Sequence, residues 1–401
     1  MIIGRRMRSS FKPGELMSSL FTFQRLTSIS FVLALVGCSS QPVKEPTPTI
    51  PKPSAVTRKP APKPKPKPLT GLPLINSLLP PKLADRNGWA ADIFAAFNAL
   101  KIAPNKENVC AVVAEIEQES SFQSEPVVPG LSKIIRRELD ARREKYSIPQ
   151  WLMDSSLDAQ SPNGRTYNQR IDTLKTENEV NTLYEDMISE IPFGKDLLAD
   201  YNPVHTGGPM QVSANFANAY TSIKPYPYGI KGSLRNELFT RKGGLFFGVA
   251  YLLDYPANYA SMTYRFADFN AGIYSSRNAA FQKALSSRSG IALGADGDLL
   301  RYKEGVALEE PASQTMQALF TIAPHLNMDK ATIYRDLLLE KSPAFEQSPL
   351  YKKLFALASE MPRACVPEIV LASPKFTRKL TTVNYAKQVE GRYRRCLKNE
   401  D

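Results

Sequence analysis

From Leu69 onward, apolar residues return every three to four positions in run after run, with little of the two-residue alternation that a half-buried strand needs. Trp89 to Leu100, Val109 to Glu119, Ile134 to Tyr146, Gln169 to Ile188, Leu245 to Leu253, Thr315 to Phe320 and Ala331 to Leu339 all read as helices. Asn- and Pro-containing breaks separate them, as helix ends require. No hairpin signal stands out, so the spacing predicts an all-α fold with at most a minor β element. A chain of 401 residues, 43% apolar and 22% charged, can bury a sizeable core.

The net charge of +12 suggests a nucleic-acid partner until it is divided by region. Residues 1–37 carry five Lys/Arg against one acid and residues 38–68 carry seven against one, which leaves 39 bases against 37 acids over 69–401. The folded part is near neutral, which argues against a nucleic-acid partner. Two histidines in the whole chain, His205 and His325, argue against a multi-histidine metal site.

Ile29 to Val36 is an apolar run of signal-peptide length, far short of the roughly 20 residues that span a bilayer. Leu35-Val36-Gly37-Cys38, followed by Ser39-Ser40, resembles a bacterial lipobox, so residues 1–37 are expected to be a lipoprotein signal peptide, with Met7 or Met17 as alternative starts. Acyl chains on Cys38 would hold the protein at a membrane surface, each buried methylene contributing about 0.8 kcal/mol. Ser39, where Asp would retain a lipoprotein at the inner membrane, implies the periplasmic face of the outer membrane. Ten of the 28 residues from Gln41 to Pro68 are proline, so residues 38–68 are expected to form an extended, lysine-studded tether. It is read first as a solvated spacer; attraction to an anionic wall polymer or lipid headgroups is the alternative.

Three short motifs carry chemistry. Ala114-Glu115-Ile116-Glu117-Gln118-Glu119-Ser120-Ser121-Phe122 closes a predicted helix. Glu119 falls one turn beyond Ile116 and two beyond Val112, on the flank of the apolar stripe, whereas Glu117 points away from it. Glu119 is therefore expected to be half-buried, where a carboxyl keeps its proton to higher pH, as a general acid must. Thr206-Gly207-Gly208-Pro209-Met210-Gln211-Val212-Ser213 offers close backbone approach at the glycines, an adaptable apolar contact at Met210 and a two-sided amide at Gln211, a set suited to an N-acetylated sugar. Phe266-Ala267-Asp268-Phe269-Asn270-Ala271-Gly272 reads as a helix ending at its glycine. Singly, these are equally a solvated helix face, a Gly-Pro turn and a helix C-cap.

In order, Gln118-Glu119-Ser120-x-Phe122, Gly208-x-Met210-Gln211 and Phe269-Asn270-Ala271-Gly272 resemble the family 1 lytic transglycosylases of the goose-type lysozyme-like superfamily. Lys242 to Leu253 resembles the helix preceding that family's third motif. Thr382-Val383-Asn384-Tyr385-Ala386-Lys387-Gln388-Val389 resembles the segment carrying its late tyrosine, although Tyr385, Val389, Tyr393 and Cys396 share one helical face and Tyr385 is equally readable as core. The likeness covers 105–125, 205–280 and about 375–395.

It implies a lysozyme-like domain over 69–401 that cleaves the β-1,4 bond between N-acetylmuramic acid and N-acetylglucosamine in peptidoglycan, leaving 1,6-anhydro ends, with no cofactor and no metal. One glutamate then serves as acid and base, without the second carboxylate of ordinary glycosidases. By resemblance Glu119 is that glutamate, Ser120 positions it or the sugar, and Gly208, Met210, Gln211, Phe269, Asn270 and Tyr385 line the glycan site.

The departures are specific. Phe269 stands where the family has tyrosine, so Tyr274 or Tyr385 must supply the missing hydroxyl. Pro209 removes a backbone donor. The 88 residues between Glu119 and Gly208 greatly exceed the family's link; the excess, about 125–201, is expected to hold two charged amphipathic helices, and a second extra helical segment spans about 290–362. These departures keep open a degenerate lysozyme-like lipoprotein that binds peptidoglycan or scaffolds envelope proteins. Beyond Cys38, the residues Cys110, Cys365 and Cys396 allow three single pairings. The resemblance favours Cys110–Cys396, since in lysozyme-like folds the last helix packs on the helix leading to the acid.

Overall fold

The computed structural model describes residues 69–194, 198–303, 305–371 and 380–399. The expected leader, the expected lipid attachment at Cys38 and the expected tether to Pro68 lie outside the described residues.

Helices α1 (Gly71–Leu78), α2 (Arg86–Leu100) and α3 (Lys106–Glu119) open the fold. Asn105 caps α3, its side chain accepting from Asn108 N at 2.8 Å. Val109, Cys110, Ala111, Val112, Val113, Ala114, Glu115 and Ile116 are all buried. A helix buried on every side is a central helix, and α3 is the axis of the main core.

Among the described residues, the segment after α3 holds four α-helices where two were expected: α4 (Leu131–Lys145), α5 (Gln150–Asp158), α6 (Tyr167–Asp172) and α7 (Glu177–Ser189). The run expected to be continuous from Gln169 to Ile188 breaks at Thr173, because Thr176 starts a new helix. Thr176 Oγ1 accepts from Glu179 N at 3.3 Å and Glu179 Oε2 accepts from Thr176 N at 3.0 Å, a capping box whose Thr-x-x-Glu signature lay in the sequence. Leu131, Leu157, Tyr167, Ile171, Val180 and Leu183 form a small core that closes on Val204 and Phe239.

Next come a tight antiparallel pair, β1 (Thr206–Gly207) with β2 (Val212–Ser213), and four helices, α8 (Ala214–Thr221), α9 (Leu234–Phe239), α10 (Arg241–Leu253) and α11 (Met262–Ala271). The hairpin went unread because two-residue strands are too short to alternate. Helix α11 ends at Gly272, as expected.

Helix α12 (Ser275–Ser289) belongs with the extra segment beyond it, which holds a hairpin of β3 (Arg301–Lys303) and β4 (Val306–Leu308) and helices α13 (Gln314–Leu326), α14 (Lys330–Leu337) and α15 (Pro349–Leu357). Phe281, Leu285, Leu319, Leu337, Phe345 and Phe355 pack there into a second core. A last pair, β5 (Val370–Leu371) with β6 (Leu380–Thr381), leads into α16 (Thr382–Lys398).

Helix α16 lies on α3 and α11, and a disulfide joins Cys110 to Cys396. That is the pairing expected from the resemblance, and it closes a loop of 286 residues. Among the described residues Cys365 is the free thiol, pushed up to about 11 by burial and therefore a poor nucleophile. The described residues are thus mostly helical, with three small β pairs among them. Among the described residues no helix is long and apolar enough to cross a membrane.

Candidate active site

Glu119 ends α3 and is 4% exposed, so it is more deeply buried than its place on the flank of a stripe implied. Glu115, one helical turn earlier, is fully buried. Both face α16, where Tyr385 Oη lies 2.6 Å from Glu115 Oε2 and 2.7 Å from Glu119 Oε1. Sequence reasoning missed Glu115. The available signal was its spacing of four residues from Glu119, which puts the two carboxyls on one helix face.

The geometry fixes a proton count. Tyr385 has a single hydroxyl proton and can donate to only one carboxylate. The other contact, equally short, would set two oxygen lone pairs against each other unless that carboxyl is itself protonated and donates to Oη. The three groups therefore hold at least two protons. Burial, reinforced by the neighbouring Glu119 carboxyl, pushes Glu115 well above the usual carboxylate range and so favours its protonated form. Its other oxygen, Oε1, is buried without a hydrogen-bond partner, which costs a neutral acid far less than a carboxylate. Burial, with both glutamates, also holds the Tyr385 phenol well above its usual range, so it stays protonated.

The remaining nominated residues divide. Phe269 packs edge-on against Tyr251, with ring centroids 5.2 Å apart, and brings no hydroxyl to the acids. Of the two candidates for that hydroxyl, Tyr274 donates to Pro256 O at 3.1 Å, away from Glu119, and Tyr385 reaches it. Tyr385 was expected against the glycan; at 3% exposure it instead serves the two carboxyls. Asn270 accepts from Thr382 Oγ1 at 2.9 Å, tying the end of α11 to the start of α16 and so to the turn that carries Tyr385. Ser120 turns its hydroxyl back to Ile116 O at 3.1 Å, closing the helix end instead of touching a carboxyl.

The second motif is the β1–β2 turn. Gly208 has φ +72° and a Cβ there would stand 2.4 Å from Leu238 O, so only glycine fits. Met210 is fully buried against Gly248 and belongs to the core. Gln211 spends its amide inside the turn, donating to Gly208 O at 3.2 Å and accepting from Thr206 Oγ1 at 3.3 Å. Gly208 and Gln211 nonetheless line a narrow crevice whose opposite wall is Ser124, Glu125, Thr176 and Asn178. The helices of this segment therefore border the motif, and within their own wall Asn178 Nδ2 donates to Glu125 Oε1 at 2.9 Å.

A further buried acid, Asp268, lies within the third motif. It accepts from Tyr259 Oη at 2.7 Å, Tyr255 Oη at 3.1 Å, Ser276 N at 2.6 Å and Tyr274 N at 3.1 Å, and burial raises it to about 6. Four donors around one carboxylate mark it as the fastener of the turn from α11 to α12. Among the described residues no cluster of three or more His, Cys, Asp or Glu side chains is arranged to hold a metal ion.

Residues 82–399 match the family described as "Protein of unknown function (DUF1615)". Over 383 residues the chain is 43% identical to the "Uncharacterized protein YaiW" of Escherichia coli (strain K12), covering 93% of this chain and 98% of that protein. No solved structure matches.

Proposed function

The chain belongs to the DUF1615 family, and we propose that this member is a lipid-anchored peptidoglycan lytic transglycosylase with a lysozyme-like catalytic domain. The observation that carries the proposal is the shared-proton cluster at the end of α3, in which Glu119 shares the Tyr385 hydroxyl with Glu115. A glycosidic oxygen leaves as an alcohol only if it is protonated, and a buried glutamate within such a cluster is equipped to protonate it. Deprotonated in that step, Glu119 then accepts the proton of the muramoyl C6 hydroxyl as that oxygen attacks C1, closing the 1,6-anhydro ring. The proton lost to the leaving oxygen is replaced by the one taken from the C6 hydroxyl, so one carboxyl completes the cycle.

The Cys110–Cys396 disulfide supports an oxidising compartment, in keeping with export and acylation at Cys38 on the periplasmic face of the outer membrane.

A second reading has its own observations. Glu119 is only 4% exposed, and both Phe269 and Pro209 depart from the transglycosylase pattern. They favour a lysozyme-like lipoprotein that binds glycan strands, or scaffolds envelope proteins, without cutting them. Mass spectrometry of purified sacculi incubated with the full-length protein in detergent separates the readings. Anhydromuropeptides, one water lighter than hydrolytic products, from the wild type and not from Glu119→Gln establish the transglycosylase. Reducing ends establish hydrolysis. Retained sacculus binding with no release from either protein leaves the binder.

A further inference from the structure

We infer that Glu115 stores the proton that Glu119 delivers, passing it through the Tyr385 hydroxyl, so that Glu115 is a positioning residue for the acid step; the inference rests on the glycan-cleaving reading above. With Oη 2.6 Å from one carboxyl oxygen and 2.7 Å from the other, the three groups form a continuous hydrogen-bonded wire. At rest Glu115 donates to Tyr385 Oη, and Tyr385 donates to the Glu119 carboxylate. When a glycosidic oxygen arrives, the Glu115 O–H bond breaks as a new Oη–H bond forms, and the former Oη–H bond breaks as a Glu119 O–H bond forms. Each oxygen keeps its electron pairs, no redox partner is needed, and the negative charge moves from Glu119 to Glu115.

Burial makes this wire useful. Glu115 is fully buried and Tyr385 is 3% exposed, so the stored proton is shielded from solvent. On α16 Arg392 favours ionised Glu115, but less than burial and Glu119 disfavour it; its Nε lies 3.5 Å from Glu117, with which Arg395 also pairs. On α10, Arg241 is held by Asp85 and Asp92, Lys242 lies over the Tyr228 ring, and Tyr251 packs on Phe269. Helix α1 carries no ionisable side chain. None of these cations sits between Glu115 and Glu119, so repulsion between the carboxyls keeps one proton in the cluster.

The test is the full-length Glu115→Gln protein in detergent. The substituted amide preserves the shape and can donate to Tyr385 Oη, but it has no proton to transfer. Its expected signature is a loss of turnover at neutral pH, on the order of tenfold or more, with recovery toward wild type in acid. The alkaline limb of the kcat profile moves down by about one pH unit or more, with KM little changed. A structural role alone would lower activity evenly across pH. A wild-type profile in Glu115→Gln overturns the inference.

Isotope-edited NMR of glutamate side chains in the wild type, with Glu340→Gln to clear an overlapping buried acid, reads the proton without any turnover and without the Glu115 variant. One glutamate still protonated at neutral pH, and coupled to the Tyr385 phenol, is expected. Every glutamate ionised there overturns the store, even if glycan is cleaved; a shared proton in a protein that releases no glycan sinks the enzyme reading and leaves the wire standing.

Discussion

Two lobes of this protein each bury a glutamate under a tyrosine, and the partners of the two acids differ. In the lobe built from α12 to α15, Glu340 is fully buried, accepts from Leu299 N at 2.5 Å and from the Tyr302 hydroxyl, and is raised to about 7 by burial. Beside it Arg277, 1% exposed, donates to the Glu340 carbonyl oxygen and to Ser342 O. Each donor there has its acceptor, and the assembly pins α12 to the chain after α14. At the end of α3 the carboxyl facing the tyrosine has a second carboxyl for company, and one proton is left to be divided. Burial alone raises an acid in both places. A like-charged neighbour linked through a hydroxyl turns a structural acid into one able to exchange a proton.

The largest effect that sharpens this contrast is on turnover. Glu119→Gln should lower glycan release by about 10²–10⁴-fold, the usual worth of a general acid, whereas Glu340→Gln should leave release by the folded protein unchanged. Equal losses in both variants, read by mass spectrometry of sacculus products, would erase the distinction. Next in size is the brace that holds Tyr385 over the acids. Cys110→Ser should lower unfolding free energy by about 2–5 kcal/mol, measured by denaturant titration with and without reductant, and the reductant should no longer matter in the variant.

The third is a pH dependence with a fixed sign. Because folding raises Glu340 to about 7, the folded chain binds more protons than the unfolded chain between the ordinary glutamate value and that point. Its stabilising contribution is complete below the unfolded value and is lost as pH rises through about 7. Asp268, raised to about 6, adds in the same direction. Glu340→Gln should flatten the fall in stability between mildly acidic and mildly alkaline pH; an unaltered slope would mean that Glu340 is ionised throughout. Smallest is Thr382→Val, which removes the bond to Asn270 and should cost about 1 kcal/mol with a modest loss of turnover, since α16 carries Tyr385 three residues further on.

Much of the helical fold was legible in advance. The three-to-four-residue spacing marked α2, α3, α10, α13 and α14, and Gly272 marked the end of α11. The departures share a cause, which is that short-range signals outvote periodicity where a cap or turn intervenes. Thr176 and Glu179 cut one expected helix into two, and Gly208 folded two-residue strands that no alternation could announce. At the site, Glu119 was visible from its motif. Glu115 was hidden because helical spacing was judged against an apolar stripe, and α3 is buried nearly all round, leaving no polar face to shelter an acid. Met210 and Gln211 were read for chemistry that packing on Gly248 and the turn's own hydrogen bonds now absorb.

The sequence by itself determined the local facts: which stretches coil, where caps and glycines stop them, that the first 68 residues differ in kind from the rest, and that Glu119 closes an apolar helix. These depend on neighbours within a turn or two, and the chain carries them wherever it goes. Only the tertiary structure decided that Tyr385, 266 residues after Glu119, would lie across both carboxyls. The proton count follows from that contact, because a hydroxyl has one hydrogen to give and two acids within reach of it.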